Sequence, residues 1–281
     1  AAGFPVTGIA GGRVEAWGGN ARLGGDDLYV VEADEYDQAF LTLHPTIAVV
    51  NNVESDHLEC YGSLEALEGA FVTFASRAGR ALVGNDSPGA DRVARRLAPG
   101  TTWRFGPGAP DLRVDGIVSD ASGTRATITL PGRGTVALHL QVPGLHNLRN
   151  ATAALGVVVA LGGDPVPAAQ ALAGFTGVGR RFDRLGEVAG VEIVDDYAHH
   201  PTELAATLAA AHQAYPGRRI VAVFQPHLYS RTAEHHAAMG RNLAVADLAV
   251  VTDVYGAREE PVPGVSGQLV ADAAGRAGGK V

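Results

Sequence analysis

Three short apolar runs, each closed by polar residues, constrain the last third of the chain more than any other feature. Strands are expected at 190–195, 220–224 and 248–253, separated by helices at 202–214 and 231–245. Strand, helix, strand at this spacing is the grammar of a doubly wound α/β sheet. Ligands of such sheets gather beyond the carboxyl ends of the strands. At one of those ends, Asp195-Asp196-Tyr197-Ala198-His199-His200-Pro201-Thr202-Glu203 places two carboxylates, a phenol and two imidazoles between strand and helix. Pro201 suits a first helical turn, where its missing N–H costs nothing.

The preceding part reads as a second α/β unit. Residues 1–26 are glycine-rich and offer no element that could start a fold, as if the chain entered mid-domain. Leu28–Val31 and Ile47–Val50 read as adjacent buried strands, and residues 64–78 after Ser63 as a helix. Residues 111–142 alternate β-branched and polar residues between turns at Ser122-Gly123 and Pro131-Gly132, the pattern of a small antiparallel sheet, and helices follow at 148–162 and 165–173. Gly174–Gly179 is the expected hinge, giving domains at 1–178 and 179–281. The C-terminus stops where another strand is due.

Composition narrows the partners. A net charge of −8 leaves no basic stripe for nucleic acid. No apolar run nears the roughly 18 residues of a membrane helix. Cys60 is the single cysteine, which excludes internal disulfides and thiolate zinc sites and favours the cytoplasm. Lys280 is the only lysine, and with Ala274 and Val281 at the flanking positions it forms no Walker A loop. Oligomeric state is not readable.

Several motifs carry chemistry. Glu32-Ala33-Asp34-Glu35-Tyr36-Asp37 follows the first expected strand with four carboxylates, hard oxygen ligands of the kind that hold Mg²⁺ beside phosphates. The second strand ends in Asn51-Asn52-Val53-Glu54-Ser55-Asp56-His57, where ligand chemistry alone favours Asp56 over His57. Asn147 and Asn150 lie three apart in a first helical turn, and their amides suit the edge of an adenine; Asn147 is equally placed to cap. Arg180 and Arg181 are forks for phosphate or ribose oxygens. His227 and Arg231 share a rim with His199, whereas His235 and His236 read as helix surface.

Taken in order, EADEYD (32–37), NVESDH (52–57), GLHNLRNA (144–151), GRRFD (179–183), DDYAHHPTE (195–203), FQPHLYSRT (224–232) and DVYGAREEPVPGVSG (253–267) closely resemble the Mur ligases of peptidoglycan synthesis, above all their alanine-adding branch. The resemblance runs from about Gly11 to Gly267. It implies a truncated central ATP-binding domain, with a mostly parallel sheet plus a small antiparallel one, followed by a Rossmann-like C-terminal domain. It also implies ATP-dependent joining of L-alanine to the carboxylate of UDP-N-acetylmuramate through an acyl phosphate. On that resemblance Glu32 and His57 are the Mg²⁺ ligands, overriding Asp56. Asn147 and Asn150 contact adenine, Arg181 and Asp196 contact ATP phosphate or ribose, and Tyr197 packs beside the nucleotide. His199 and Arg231 serve the muramoyl substrate. Sister ligases use a carbamoylated lysine near the metal, and this chain, like the alanine-adding branch, has none there.

Two departures stand out. The family's UDP-binding domain and P-loop have no counterpart in these residues, so the chain reads as a fragment that does not turn over alone, and Leu228 stands where some members have arginine. Two other readings compete. A ligase recycling a tripeptide onto the same sugar acid usually has phenylalanine at the position of Tyr197. A metal-dependent phosphoesterase would use Asp195, Asp196, His199 and His200 as a dinuclear site.

Overall fold

The computed structural model describes residues 3–120 and 123–281. They form two compact units, divided for the most part between Thr176 and Gly177.

The first unit opens with β1 (Thr7–Val14) and β2 (Gly19–Arg22), an antiparallel pair, and β3 (Tyr29–Val31) runs parallel to β1 on its other side. The glycine-rich opening is therefore a sheet, contrary to the expectation of no element there. Glycine is depleted in strands, which hides the pattern. Here it is required by a close neighbour, since a Cβ on Gly8 would lie 2.6 Å from the Trp17 indole.

Next come β4 (Ile47–Val50), α1 (Leu58–Tyr61), α2 (Leu64–Ser76), β5 (Arg80–Gly84), α3 (Pro88–Ala94), β6 (Thr102–Pro107), β7 (Leu112–Asp120), β8 (Gly123–Leu130) and β9 (Gly134–Leu140). These six strands form one sheet in the order β4-β5-β6-β7-β8-β9. Pairing is parallel from β4 to β7 and antiparallel between β8 and β9. The antiparallel strands expected at 111–142 are thus continuous with the parallel ones. Of their two expected turns, Pro131-Gly132 joins β8 to β9, while Ser122 lies outside the described residues. A second correction concerns β3 and β4, which belong to different sheets and are not neighbours.

The strand β5 shows why both faces of this sheet are covered. Leu82 packs with Phe105, Leu112, Leu148 and Leu155 on the side of α4 (Leu145–Ala160) and α5 (Pro165–Leu172). Its neighbours Ala81 and Val83 join Phe40, Leu67 and Phe74 on the side of α2. Successive side chains point to opposite faces, so a strand covered twice reads as a continuous apolar run.

The second unit begins with β10 (Asp183–Val188) and β11 (Val191–Asp195), an antiparallel hairpin. It continues through α6 (Pro201–Ala214), β12 (Val221–Phe224), α7 (Tyr229–Leu243), β13 (Leu248–Val251) and α8 (Gly267–Arg276). β12 and β13 pair in parallel, Val221 opposite Leu248. All three expected strands exist, but β11 pairs with β10 and not with β12. Leu204 and Leu208, one turn apart on α6, pack with Phe224, Met239, Leu243 and Val270 to form the core of this unit. Among the described residues no helix is long and apolar enough to cross a membrane.

Candidate active site

In the first unit the loops after β4 and β5 meet back to back. The hydroxyl of Ser87 caps α3 by accepting the Ala90 N–H and also accepts the Val53 N–H, each at 3.3 Å. Asp86 pairs with Arg149 and so ties the first turns of α4, with Asn147 and Asn150, to the same rim. Ser87→Ala removes a cap and strands a buried N–H, so a loss of about 2 kcal/mol is expected in urea unfolding.

The acidic run after β3 packs against α1. Tyr61 donates to the Glu35 carbonyl at 2.5 Å, and Tyr36 meets the His57 ring edge-on at 5.2 Å. His57 occupies the N-cap position of α1 with a left-handed backbone at φ 54°. Its Nε2 lies 3.9 Å from Glu35 and 3.7 Å from Asp56, and its Nδ1 lies 3.6 Å from Glu59. Burial, then Glu35, Cys60 and Asp34, push the Tyr61 phenol up to about 12, so the local field is negative. Glu32 is exposed at the end of β3, where one carboxylate oxygen accepts the Gly11 N–H at 2.6 Å. Anionic oxygens in a negative field suit a hard cation. No group of three or more His, Cys, Asp or Glu side chains arranged to hold a metal ion by themselves occurs among the described residues, and Mg²⁺ completed by phosphates and water does not need one.

In the second unit a row of side chains follows the carboxyl ends of β11 and β12. The guanidinium groups of Arg180 and Arg181 lie 4.7 and 5.8 Å from the Tyr197 ring. Tyr197 meets His199 at 5.2 Å, His199 meets His227 at 6.1 Å, and His227 meets Tyr255 at 5.7 Å. Arg231 is only 8% exposed, with Nη1 3.3 Å from His227 Nδ1. Burial, reinforced by Arg231 and His199, pushes the His227 imidazole down, which keeps that ring neutral at pH 7.

Glu203 organises this row. Its Oε2 accepts the N–H groups of His199 and His200 at 2.9 and 3.1 Å, and its Oε1 lies 3.4 Å from Arg181 Nη1. With His200 as N-cap and Pro201 in the first turn, this is a capping box. Burial alone would raise the Glu203 carboxyl, but His199, the two N–H donors and Arg181 outweigh it and hold it low. A carboxylate depressed in the fold adds stability above its unfolded pKa, and that stability is lost as pH falls through the folded value. Thermal melts at about pH 7 and pH 3 should therefore fall less steeply in Glu203→Gln than in the parent chain.

Backbone strain gathers at these loops. Arg180 (φ 60°), Phe182 (φ 49°) and Leu228 (φ 70°) join His57 with positive φ. Such residues persist where the surroundings over-determine them, and they cluster at functional sites. Leu228 is held by its N–H on the Tyr255 carbonyl, and its own carbonyl accepts from Thr232.

Tyr197, His199 and Arg231 thus stand on one rim with His227, and Arg181 reaches them through Glu203. Asp196 instead grips backbone, accepting Phe182 N–H and Ala198 N–H, each at 2.8 Å. Asp195 faces Arg180, and His200 caps α6, so three of the four residues of a dinuclear phosphoesterase site, Asp196 included, are committed elsewhere. His235 is not simply surface, because its ring lies 5.0 Å from His200. Sequence reasoning gave no role to Glu203 and Tyr255, which lie inside quoted motifs, or to Asp86, which does not; for Glu203 the readable signal was an acid three residues after a cap.

Residues 20–158 match the Mur ligase middle domain, and residues 180–281 match the Mur ligase glutamate ligase domain. The chain belongs to the Mur ligase family. It is 43% identical over 280 residues to the UDP-N-acetylmuramate–L-alanine ligase of Salinibacter ruber, covering 97% of this chain and 58% of that one. To the ligase of the same name from Clavibacter michiganensis it is 46% identical over 267 residues, 94% of this chain and 56% of the other. Among solved structures, the UDP-N-acetylmuramate-alanine ligase of Thermotoga maritima has a TM-score of 0.79 at 28% identity, over 98% of this chain and 59% of that chain. The chain therefore spans less than two thirds of the length of these Mur ligases.

Proposed function

We propose that this chain carries nucleotide and substrate groups of an ATP-dependent ligase that joins L-alanine to the carboxylate of UDP-N-acetylmuramate. The observation that carries this reading is the rim of Arg181, Tyr197, His199, His227 and Arg231, in a chain similar along nearly its whole length to enzymes of that name.

A free carboxylate repels a nucleophile, whereas its acyl phosphate offers an electrophilic carbonyl and a good leaving group. Glu32 and His57 would hold Mg²⁺, which offsets charge on the transferred phosphoryl group. Asn147 and Asn150 present amides to adenine, in a helix fixed by the Asp86–Arg149 pair. Arg181 serves phosphate or ribose, with Tyr197 beside the nucleotide, while Asp196 holds the loop through the Phe182 and Ala198 N–H groups. His199 and Arg231 receive the muramoyl substrate. Burial beside His227 pre-orders the Arg231 fork, which lowers the entropy of binding an anionic oxygen.

The test uses a chimera in which this chain replaces the matched region of the Salinibacter ruber ligase. Supplied with UDP-N-acetylmuramate and equal L-alanine and free tripeptide, it should incorporate L-alanine. Preferential use of the tripeptide would move the assignment to the recycling ligase.

A further inference from the structure

The Nδ1 of His199 lies 2.8 Å from the Tyr197 carbonyl oxygen and 3.4 Å from Glu203 Oε2. Both are acceptors, and a bare lone pair on Nδ1 would face two oxygens. Nδ1 therefore carries the proton, and in the neutral ring the lone pair sits on Nε2. No described residue bonds that Nε2. The other groups at the ring are the edge of Tyr197 and the His227 imidazole, with Arg181 behind Glu203 and Arg231 behind His227.

We infer that His199 accepts a proton at Nε2 from the ammonium group of the incoming amino acid, with Glu203 as the residue that positions it; this rests on the ligase reading. An ammonium has no lone pair and cannot attack. In the step, an N–H bond of the ammonium breaks and its electron pair stays on nitrogen, while the Nε2 lone pair forms the new N–H bond. The resulting imidazolium faces the Glu203 carboxylate. The freed amine forms the C–N bond at the acyl phosphate carbon, the carbon–oxygen bond to phosphate breaks with its pair on oxygen, and the departing phosphate takes the second proton. Glu203 is already a carboxylate at pH 7, because its neighbours hold it low.

Two measurements test this. In ¹⁵N-labelled parent chain, with His199→Gln used for assignment, the ring of His199 should show a pyrrole-type Nδ1 and a pyridine-type Nε2. Glu203→Gln should reduce that population, and a pyridine-type Nδ1 in the parent would overturn the inference. In the chimera, phosphate release is compared with L-alanine and with hydroxylamine, an amine already neutral at pH 7. His199→Gln should lower the ratio of alanine-driven to hydroxylamine-driven release by about a hundredfold, the scale of a lost general base. An unchanged ratio would reduce His199 to a substrate contact. Release with neither amine in the parent chimera would sink the ligase reading and the proton transfer with it, while the nitrogen shifts would still settle the tautomer.

Discussion

Glu32→Gln in the chimera should lower ATP-dependent phosphate release by more than about a hundredfold while leaving its thermal midpoint in place. Glutamine keeps the oxygen that accepts the Gly11 N–H, the one hydrogen bond of the Glu32 side chain among the described residues, and leaves the backbone bond to the Ile9 carbonyl in place. What disappears is the charge, and a carboxylate with no arginine or lysine partner among the described residues contributes little to stability through charge. His57→Asn should behave alike, since asparagine tolerates the left-handed backbone at φ 54° better than other replacements. Phosphate release at saturating ATP and a melting curve separate the two effects. Full activity in both variants would remove Glu32 and His57 from the phosphoryl-transfer site.

Gly89→Ala should destabilise the first unit by about 3 kcal/mol, against the sign that helix propensity gives. In an exposed helix the change from glycine to alanine gains about 1 kcal/mol. Gly89 is buried in α3, and an added Cβ would fall on the carbonyl oxygen of Val53. Backbone cannot swing aside as a flexible side chain can, so the loop at 51–57 must move with it. Gly84 meets the carbonyl of Asn51 in the same way. Urea unfolding measures the loss, and a stabilised Gly89→Ala would show that the two loops are not held back to back.

Local signals were legible and long-range pairings were not. The β11 strand and the start of α6 follow from β-branched residues, a proline and a cap, all adjacent in sequence. That Glu203 also holds Arg181, twenty-two positions earlier, requires the fold. The β1–β2 pair escaped notice because Gly8 makes room for Trp17 and the glycines carry no alternation. β5 is five residues long and its partners lie more than twenty residues away, so nothing local marks its place in the sheet. Likewise Tyr255 reaches the rim only through its bridge to His227. The motifs themselves were readable because site chemistry restricts residue type at each position, while packing restricts only size and polarity.

A ligase of the proposed kind spends ATP only when both a muramoyl carboxylate and L-alanine are present. Phosphate release by the chimera from Mg²⁺-ATP, with UDP-N-acetylmuramate and L-alanine each omitted in turn, tests it most directly. Sustained release is expected only with both, and is lost in Glu32→Gln. Sustained release that ignores L-alanine would contradict the ligase reading.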